Sequence, residues 1–267
     1  MTRTKFTLPI LALTFASIFA NNHTVAQRRP STRQPAPKNI LFDFRNERMT
    51  PPLKISPATE KYVISKVFRR YLTDENKCNP DFDASGSDDR LAAARRAGQI
   101  VPSILDMETG SFTGPLKQET LYVISVSECY ASHAENFGTK RVAIFSGPQL
   151  VADMDVDFKS GIVKKTDLNG DGIDELLMTT GDMNQGVLIE LAALVSFQNR
   201  RFRVIEEFGT VMEDSCASGF PGRSAKASVI SISEAAPGAM PRLRMDNYEG
   251  SCRKARRWRF ISTGKMQ

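Results

Sequence analysis

The sequence predicts an α+β fold that is rich in β-structure, with mainly antiparallel sheet, helices near its start and an incomplete propeller-like or sandwich architecture. After Pro102, short apolar, β-branched and aromatic runs recur between turn residues such as Gly, Asn, Asp and Pro, which is typical of strands. Before Pro102, two segments carry helix start and stop signals. No internal repeat with a steady period is visible in the sequence, which argues against a complete propeller.

The first 26 residues have the pattern of a secretory signal peptide. Arg3 and Lys5 precede an apolar run over residues 6–20, and Thr24 and Ala26 suit cleavage after Ala26. A membrane-spanning helix needs about 20 apolar residues, and this run has 15. A permanent anchor is therefore the weaker alternative, and we expect a secreted or periplasmic product with no membrane span after cleavage.

Residues 27–39, QRRPSTRQPAPKN, are basic and rich in proline. They show no apolar periodicity and cannot bury enough surface to offset chain entropy. We predict a linker here, followed by a single β-rich domain over residues 40–264.

Cleavage would remove Arg3 and Lys5 and leave 34 basic against 30 acidic residues. This excess is too small to predict nucleic acid as a partner. Basic residues cluster near the new N-terminus and near the C-terminus, where we expect a solvated surface, with contact to an anionic lipid or glycan as the alternative. These residues are Arg28, Arg29, Arg33 and Lys38, and Arg253, Lys254, Arg256, Arg257 and Arg259.

Four cysteines remain, Cys78, Cys129, Cys216 and Cys252. An even number in an exported chain predicts two disulfides. No CxxC spacing occurs and one histidine survives cleavage, so a structural zinc site is not expected. Three pairings are formally open. We favour Cys78 with Cys129 and Cys216 with Cys252, because this pairing closes two loops without crossing.

The first helix is predicted to begin with Ser56 as its N-cap and Pro57 as its first helical residue. An apolar stripe at helical spacing follows, formed by Ile64, Val67, Phe68, Tyr71 and Leu72. We interpret this stripe as core packing. A second short helix is predicted within DDRLAAARRAG, ended by Gly98.

Strands are predicted wherever apolar and β-branched runs lie between turn signals. The candidates are residues 120–129, 141–145, 161–165, 175–180, 187–197, 202–208, 227–233, 242–245 and 258–262. Because the connections between many of them are short and rich in turn residues, we expect antiparallel sheet.

Residues 167–176 read DLNGDGIDEL, the one motif in the chain that predicts chemistry. Five residues are placed to offer oxygen atoms from alternate positions: Asp167, Asn169, Asp171, the carbonyl of Ile173, and Glu175. Ca²⁺ binds six to eight oxygen ligands, and a tight loop can supply them from these positions. Glycine at the sixth position permits the sharp turn.

The segment resembles the calcium loops of FG-GAP and VCBS repeats, the blades of integrin alpha subunits and of many bacterial extracellular proteins, which read D-x-[DN]-x-D-G-x-x-[DE]-L. The resemblance covers residues 161–186 and implies these same five residues as ligands of a structural Ca²⁺. An ordinary EF-hand is disfavoured, because Met178 stands at the twelfth position, where that motif has glutamate. The alternative is an Asn-Gly-Asp-Gly hairpin turn that binds no metal.

A weaker copy of this spacing occurs at residues 81–89, DFDASGSDD, through Asp81, Asp83, Ser85 and Asp89. We favour a loop in which Asp88 or Asp89 caps the following helix.

Asp153, Asp155 and Asp157 also alternate, which on a strand places them on one face. No glycine follows them, so we expect a solvated face there and not a metal site.

No catalytic residues are predicted. His133 is the single histidine of the mature chain, and no GxSxG motif, phosphate-binding loop or dinucleotide fingerprint occurs. The sequence therefore favours a non-enzymatic, calcium-binding module with an unknown protein or glycan surface as its partner. The alternative is a cell-wall or polysaccharide hydrolase with a structural calcium site, which a cleft with two carboxylates about 5–10 Å apart would favour.

Overall fold

The computed structural model describes residues 39–46, 53–73, 77–129, 139–157, 160–219, 221–233, 236, 238–252 and 256–264. All of them belong to one compact unit. The predicted signal peptide, the linker up to residue 38 and His133 lie outside the described residues.

Helix α1 (Pro57–Val67) begins as the sequence predicts. Ser56 is its N-cap, and the Ser56 hydroxyl accepts a hydrogen bond from the Thr59 N–H at 3.1 Å. The predicted apolar stripe is wrong beyond Val67, because Phe68 is extended. The Leu72 N–H instead donates to the Ile100 carbonyl at 2.7 Å, so the chain leaves the helix to run beside another segment.

Helix α2 (Arg90–Ala97) confirms the second helix prediction. Asp89 caps its N-terminus by accepting from the Ala92 N–H at 2.8 Å, and Gly98 ends it in the left-handed region, with φ at 75°. Among the helices in the described ranges, none is long and apolar enough to cross a membrane.

Within the described residues, twelve strands form two antiparallel sheets. The smaller sheet has the order β2-β3-β4-β5, with β2 Ile100–Gly110, β3 Glu119–Glu128, β4 Thr139–Ser146 and β5 Gln149–Asp157. The larger sheet has the order β12-β11-β10-β9-β8-β7-β6, with β6 Gly161–Thr166, β7 Glu175–Asn184, β8 Val187–Ser196, β9 Arg203–Asp214, β10 Ser224–Ile232, β11 Leu243–Ser251 and β12 Trp258–Gly264. Strand β1 (Ile40–Asp43) pairs with β10. The predicted β-rich α+β class with helices before most strands is confirmed.

The larger sheet is curled, and β9 and β10 pair over only part of their length within it. These two strands pair over residues 225–227 of β10, whereas residues 229–231 pair with β1 instead. Strand β1 and the short 3-10 turn Phe44–Asn46 thus occupy the opening, and Phe44 is fully buried there.

Three apolar clusters connect these layers. The first lies between the two sheets, where Val123 and Ile144 of the smaller sheet pack with Leu176 and Val195 of the larger one. The second joins α1 and α2 to the opposite face of the smaller sheet. The third fills the curl of the larger sheet beneath β1. The sheets therefore pack face to face, and the helices cover one outer face.

Two disulfides join Cys78 to Cys129 and Cys216 to Cys252, with Cα–Cα distances of 5.7 and 5.3 Å. Both pairings are those that the sequence favours. The first ties the segment before α2 to the end of β3, and the second ties the end of β9 to the end of β11.

Candidate metal-binding loop

The predicted ligands lie in the connection between β6 and β7. Thr166 is the last residue of β6 and pairs with Glu175, the first residue of β7. Residues 167–174 therefore form the turn of a β-hairpin, with Asp167 and Glu175 at its two ends. The structure places four of the five predicted residues in this turn and Glu175 directly after it, as the first residue of β7.

Asp167 organises the backbone of the turn. One of its carboxylate oxygens, Oδ1, accepts from the N–H groups of Gly170 at 2.8 Å and Asp171 at 3.1 Å. The other, Oδ2, accepts from the Gly172 N–H at 2.9 Å. Three backbone N–H groups thus surround a single carboxylate, which draws the loop around the first position of the motif.

Asn169 and Asp171 repeat a local pattern in which a side-chain oxygen accepts from the backbone two residues on. Asn169 Oδ1 accepts from the Asp171 N–H at 3.1 Å, and Asp171 Oδ1 accepts from the Ile173 N–H at 2.8 Å. The Asn169 amide also donates to Asp171 Oδ2 at 3.1 Å. The alternating polar residues therefore hold the loop in shape.

Two glycines make this shape attainable. Gly170 and Gly172 have φ values of 73° and 80°, a region that costs residues with a Cβ roughly 1–2 kcal/mol. Gly172 also lies against Pro115, since a Cβ built on it would be 3.2 Å from the Pro115 Cβ. The glycine at the sixth position thus suits the left-handed conformation, and a larger residue there would press on Pro115.

Glu175 is the buried acid of the loop, with 3% of its surface exposed. Its Oε2 accepts from the Leu168 N–H at 2.9 Å. Burial, together with the negative charges of Asp171 and Asp167, raises the pKa of Glu175 to about 7. A cation bound beside Glu175 would reverse this effect by favouring the ionised carboxylate.

Asp174 is a residue of this loop that the sequence reasoning missed. Its carboxylate accepts from the Ser111 N–H at 2.7 Å, and its own N–H donates to the Ser111 carbonyl at 2.7 Å. A second hydrogen bond joins the loop to a distant segment, because the Gly238 N–H donates to the Asn169 carbonyl at 3.1 Å. Asp174 stands between positions seven and nine of the motif, and no spacing rule for ligands marks it.

The donor chemistry of the loop fits Ca²⁺. An ionised carboxylate offers about four lone-pair sites, and the hydrogen bonds described above use three at Asp167, two at Asp171 and one at Glu175. Oxygen atoms of this kind are the ligands that calcium prefers. Among the described residues, however, no three acidic, histidine or cysteine side chains are gathered closely enough to hold a metal ion. The loop thus contains the five predicted residues, but its described acids do not form a preassembled cluster.

The weaker motif at residues 81–89 has a different arrangement. Asp89 is the N-cap of α2, as one of the two sequence interpretations expects. Asp83 accepts from the Ser85 N–H at 2.8 Å, and hydrogen bonds from Ser85 lower the pKa of Asp83. These acids therefore serve local turns and a helix cap.

The alternating aspartates of β5 are paired with arginines. Asp155 accepts hydrogen bonds from Arg95 and Arg141, and Asp153 forms an ion pair with Arg141. Burial raises the pKa of Asp153 despite this ion pair. At Asp153 and Asp155 we expected a solvated face, and the structure has an ion-pair network there. The side chain of Asp157 lies outside the described part of the structure.

In the described part of the chain, four cavities of about 320 to 560 Å³ are each lined by at most one carboxylate. Glu213 lines one of them and Asp83 another.

A comparison with protein families, with curated proteins and with solved structures finds no match for this chain.

Proposed function

We propose that this protein is an exported, disulfide-stapled β-rich module that binds one Ca²⁺ in the β6–β7 turn. It acts as a non-enzymatic binding or structural protein, and its partner is a protein or glycan surface. The ligands are Asp167, Asn169, Asp171, Glu175 and the Ile173 carbonyl. The likeness of the turn to FG-GAP and VCBS loops supports this proposal.

The buried Glu175 is the observation that carries the calcium proposal. A carboxylate that is out of water and repelled by the charges of Asp171 and Asp167 is unfavourable when ionised, as its pKa of about 7 reflects. A divalent cation offsets both the burial and the repulsion, because it supplies the positive charge that this turn lacks. Calcium would then stabilise the hairpin, since its ligands come from both ends of the turn.

The two disulfides support the export proposal. Disulfides form and persist in oxidising compartments and are rare in the cytosol. All four cysteines of the chain are paired. These pairs support the proposal of a secreted or periplasmic setting, where calcium at millimolar concentration is also compatible with a weak site.

Calorimetric titration with calcium tests the proposal. Extracellular calcium modules bind at about 10⁻⁴ to 10⁻³ M, and we expect one site in this range with weaker binding of magnesium. At a free calcium concentration about ten times the dissociation constant, mass action stabilises the fold by about 1.4 kcal/mol. The melting temperature should therefore rise modestly.

Asp171→Asn is the informative variant, because an amide keeps the oxygen that accepts from Ile173 but removes the charge. It should lose calcium binding and the rise in melting temperature while remaining folded without calcium. Asp182→Asn is the matched control, because Asp182 is an exposed acid near the other end of β7. Absence of calcium heat in the wild type would overturn the calcium proposal, as would equal loss in both variants.

A further inference from the structure

A basic cavity of about 560 Å³ lies where the C-terminal ends of α1 and α2 meet β4. Five arginines line it together with Val67 and Phe68: Arg69, Arg70, Arg95, Arg96 and Arg141. Arg69 and Arg70 follow α1, Arg95 and Arg96 lie in the last turn of α2, and Arg141 lies on β4. Among the described residues that line the cavity, none is acidic.

Two aspartates of β5 fix two of these arginines from outside the cavity. Both terminal nitrogens of Arg95 donate to Asp155, at 3.0 and 3.2 Å. Arg141 donates to Asp155 at 2.8 Å and pairs with Asp153. The Nε atoms of both arginines are buried without a hydrogen-bond partner, so the terminal nitrogens alone anchor them.

The other three arginines, Arg69, Arg70 and Arg96, are exposed. Among the ion pairs of the described residues, none involves any of them. The ends of the two helices explain part of this positive charge. Each helix C-terminus carries roughly half a negative charge and therefore favours arginine nearby. Five guanidinium groups face two aspartates and two helix ends, so an excess of roughly two positive charges remains.

The backbone that carries these arginines is held in place. A Cβ built on Gly98 would be 2.9 Å from the Arg70 Cβ, so the end of α2 packs directly on the segment after α1. The hydrogen bond from Leu72 to Ile100 fixes the same segment two residues later. Backbone that is ordered before a ligand arrives reduces the entropic cost of binding.

We propose that this cavity, which lies apart from the calcium turn and shares no lining residue with it, binds a phosphate monoester group of a larger ligand. Such a tetrahedral dianion matches the excess charge, whereas a single carboxylate would leave the cavity positive. The planar guanidinium donates two parallel hydrogen bonds to oxyanions, which lysine cannot do. The cavity volume lies within the range of small-molecule sites.

Titration calorimetry with inorganic phosphate and with sulfate, at low ionic strength, tests this inference. Wild-type protein should bind either anion at one site. Replacing two of the three arginines that form no ion pair among the described residues, Arg69→Gln with Arg70→Gln, should weaken binding by about tenfold or more, because charge-assisted hydrogen bonds are lost. Arg242→Gln is the matched control, since Arg242 is an exposed arginine just before β11 in the larger sheet.

A second arm identifies the source of the anion. Vesicles of phosphatidylcholine that contain phosphatidic acid are compared with vesicles of phosphatidylcholine alone. Binding to the former that free phosphate displaces, and that the double variant loses, indicates a lipid headgroup. Binding of the free anions without vesicle binding indicates a soluble phosphorylated ligand.

Either positive arm supports the site, and failure of the wild type to bind any of these probes overturns it. Equal weakening by Arg242→Gln would also overturn it, because binding would then follow net charge. If the double variant does not fold, as judged by its thermal transition, Arg96→Gln alone takes its place. The calcium titration is a separate measurement on separate residues, so the two proposals succeed or fail independently.

Discussion

Asp174 and Ser111 hold each other through a reciprocal pair of hydrogen bonds, each 2.7 Å long. Ser111 directly follows β2 of the smaller sheet, and Asp174 directly precedes β7 of the larger sheet. The pair therefore joins the two sheets at the candidate metal loop. Gly110 makes room for it, because a Cβ at that position would be 2.5 Å from Asp174 Oδ2.

Asp174→Ala should destabilise the protein by about 1–3 kcal/mol, because the Ser111 N–H loses its acceptor in a half-buried place. Asp174→Asn keeps an oxygen acceptor and should cost less. Urea unfolding of the three proteins measures the difference. A wild-type midpoint in the alanine variant would show that the pair contributes nothing to the junction between the sheets.

Gly98→Ala should destabilise α2 and displace Arg70. Alanine at φ 75° costs roughly 1–2 kcal/mol, and its Cβ would approach the Arg70 Cβ to 2.9 Å. Gly86→Ala is the control, because nothing lies within 4 Å of a Cβ at Gly86 and its φ is not positive. Thermal unfolding compares the two variants, and equal transitions would contradict the packing of α2 on the segment after α1.

Local signals in the sequence were sufficient to predict both helix starts and the end of α2. Ser56, Asp89 and Gly98 act on backbone groups no more than a few residues away, so their roles are encoded nearby. The end of α1 was not predictable in this way. The chain leaves the helix at Phe68, and the segment beyond it bonds to Ile100, which is distant in sequence.

Three strands escaped prediction for related reasons. Pro102 lies inside β2 and has the appearance of a strand breaker, yet β2 is an edge strand with one side unpaired, where proline is tolerated. Strand β5 alternates acids that looked solvated, and these acids meet arginines of β4 and α2. Strand β1 is four residues long and is defined by its pairing with the distant β10.

In the candidate loop, too, local features were predictable from the sequence and contacts with distant segments were not. Its spacing marked Asp167, Asn169, Asp171 and Gly172, whose hydrogen bonds and backbone angles shape the turn locally. That five residues of the loop bind a cation stays a prediction. Asp174 could not be identified, since its partner Ser111 lies in another sheet. The arginine cavity could not be identified either, because α1, α2 and β4 are brought together only by packing.

Removing either disulfide should destabilise the protein. One double variant, Cys216→Ser with Cys252→Ser, opens a loop whose ends are 36 residues apart in sequence. The other, Cys78→Ser with Cys129→Ser, opens a loop whose ends are 51 residues apart. The chain-entropy model gives about 4 kcal/mol for loops of either length. Denaturant unfolding of each double variant measures the loss, and a reduced wild-type protein provides the comparison. Unchanged stability in both variants would contradict a stapling role for these bonds.

The last prediction concerns the pH dependence that Glu175 creates. Its pKa is raised from an ordinary 4.5 to about 7 in the folded protein, so the folded state holds a proton that the unfolded chain has already released between these two values. The free energy of unfolding should therefore fall as the pH rises through this window, by up to about 3 kcal/mol from this group, and its contribution should be constant above it. Glu175→Gln removes the titration and keeps an acceptor for the Leu168 N–H.

In the presence of a calcium chelator, urea unfolding at a series of pH values should show a steeper fall for the wild type than for Glu175→Gln. The difference between the two proteins isolates Glu175 from other acids whose pKa is raised by burial, such as Asp106 and Asp153. Saturating calcium should reduce or reverse the wild-type fall, because a bound cation favours the ionised carboxylate. Parallel curves for the two proteins in chelator would contradict the raised pKa, whereas a wild-type curve that calcium leaves unchanged would contradict Glu175 as a calcium ligand.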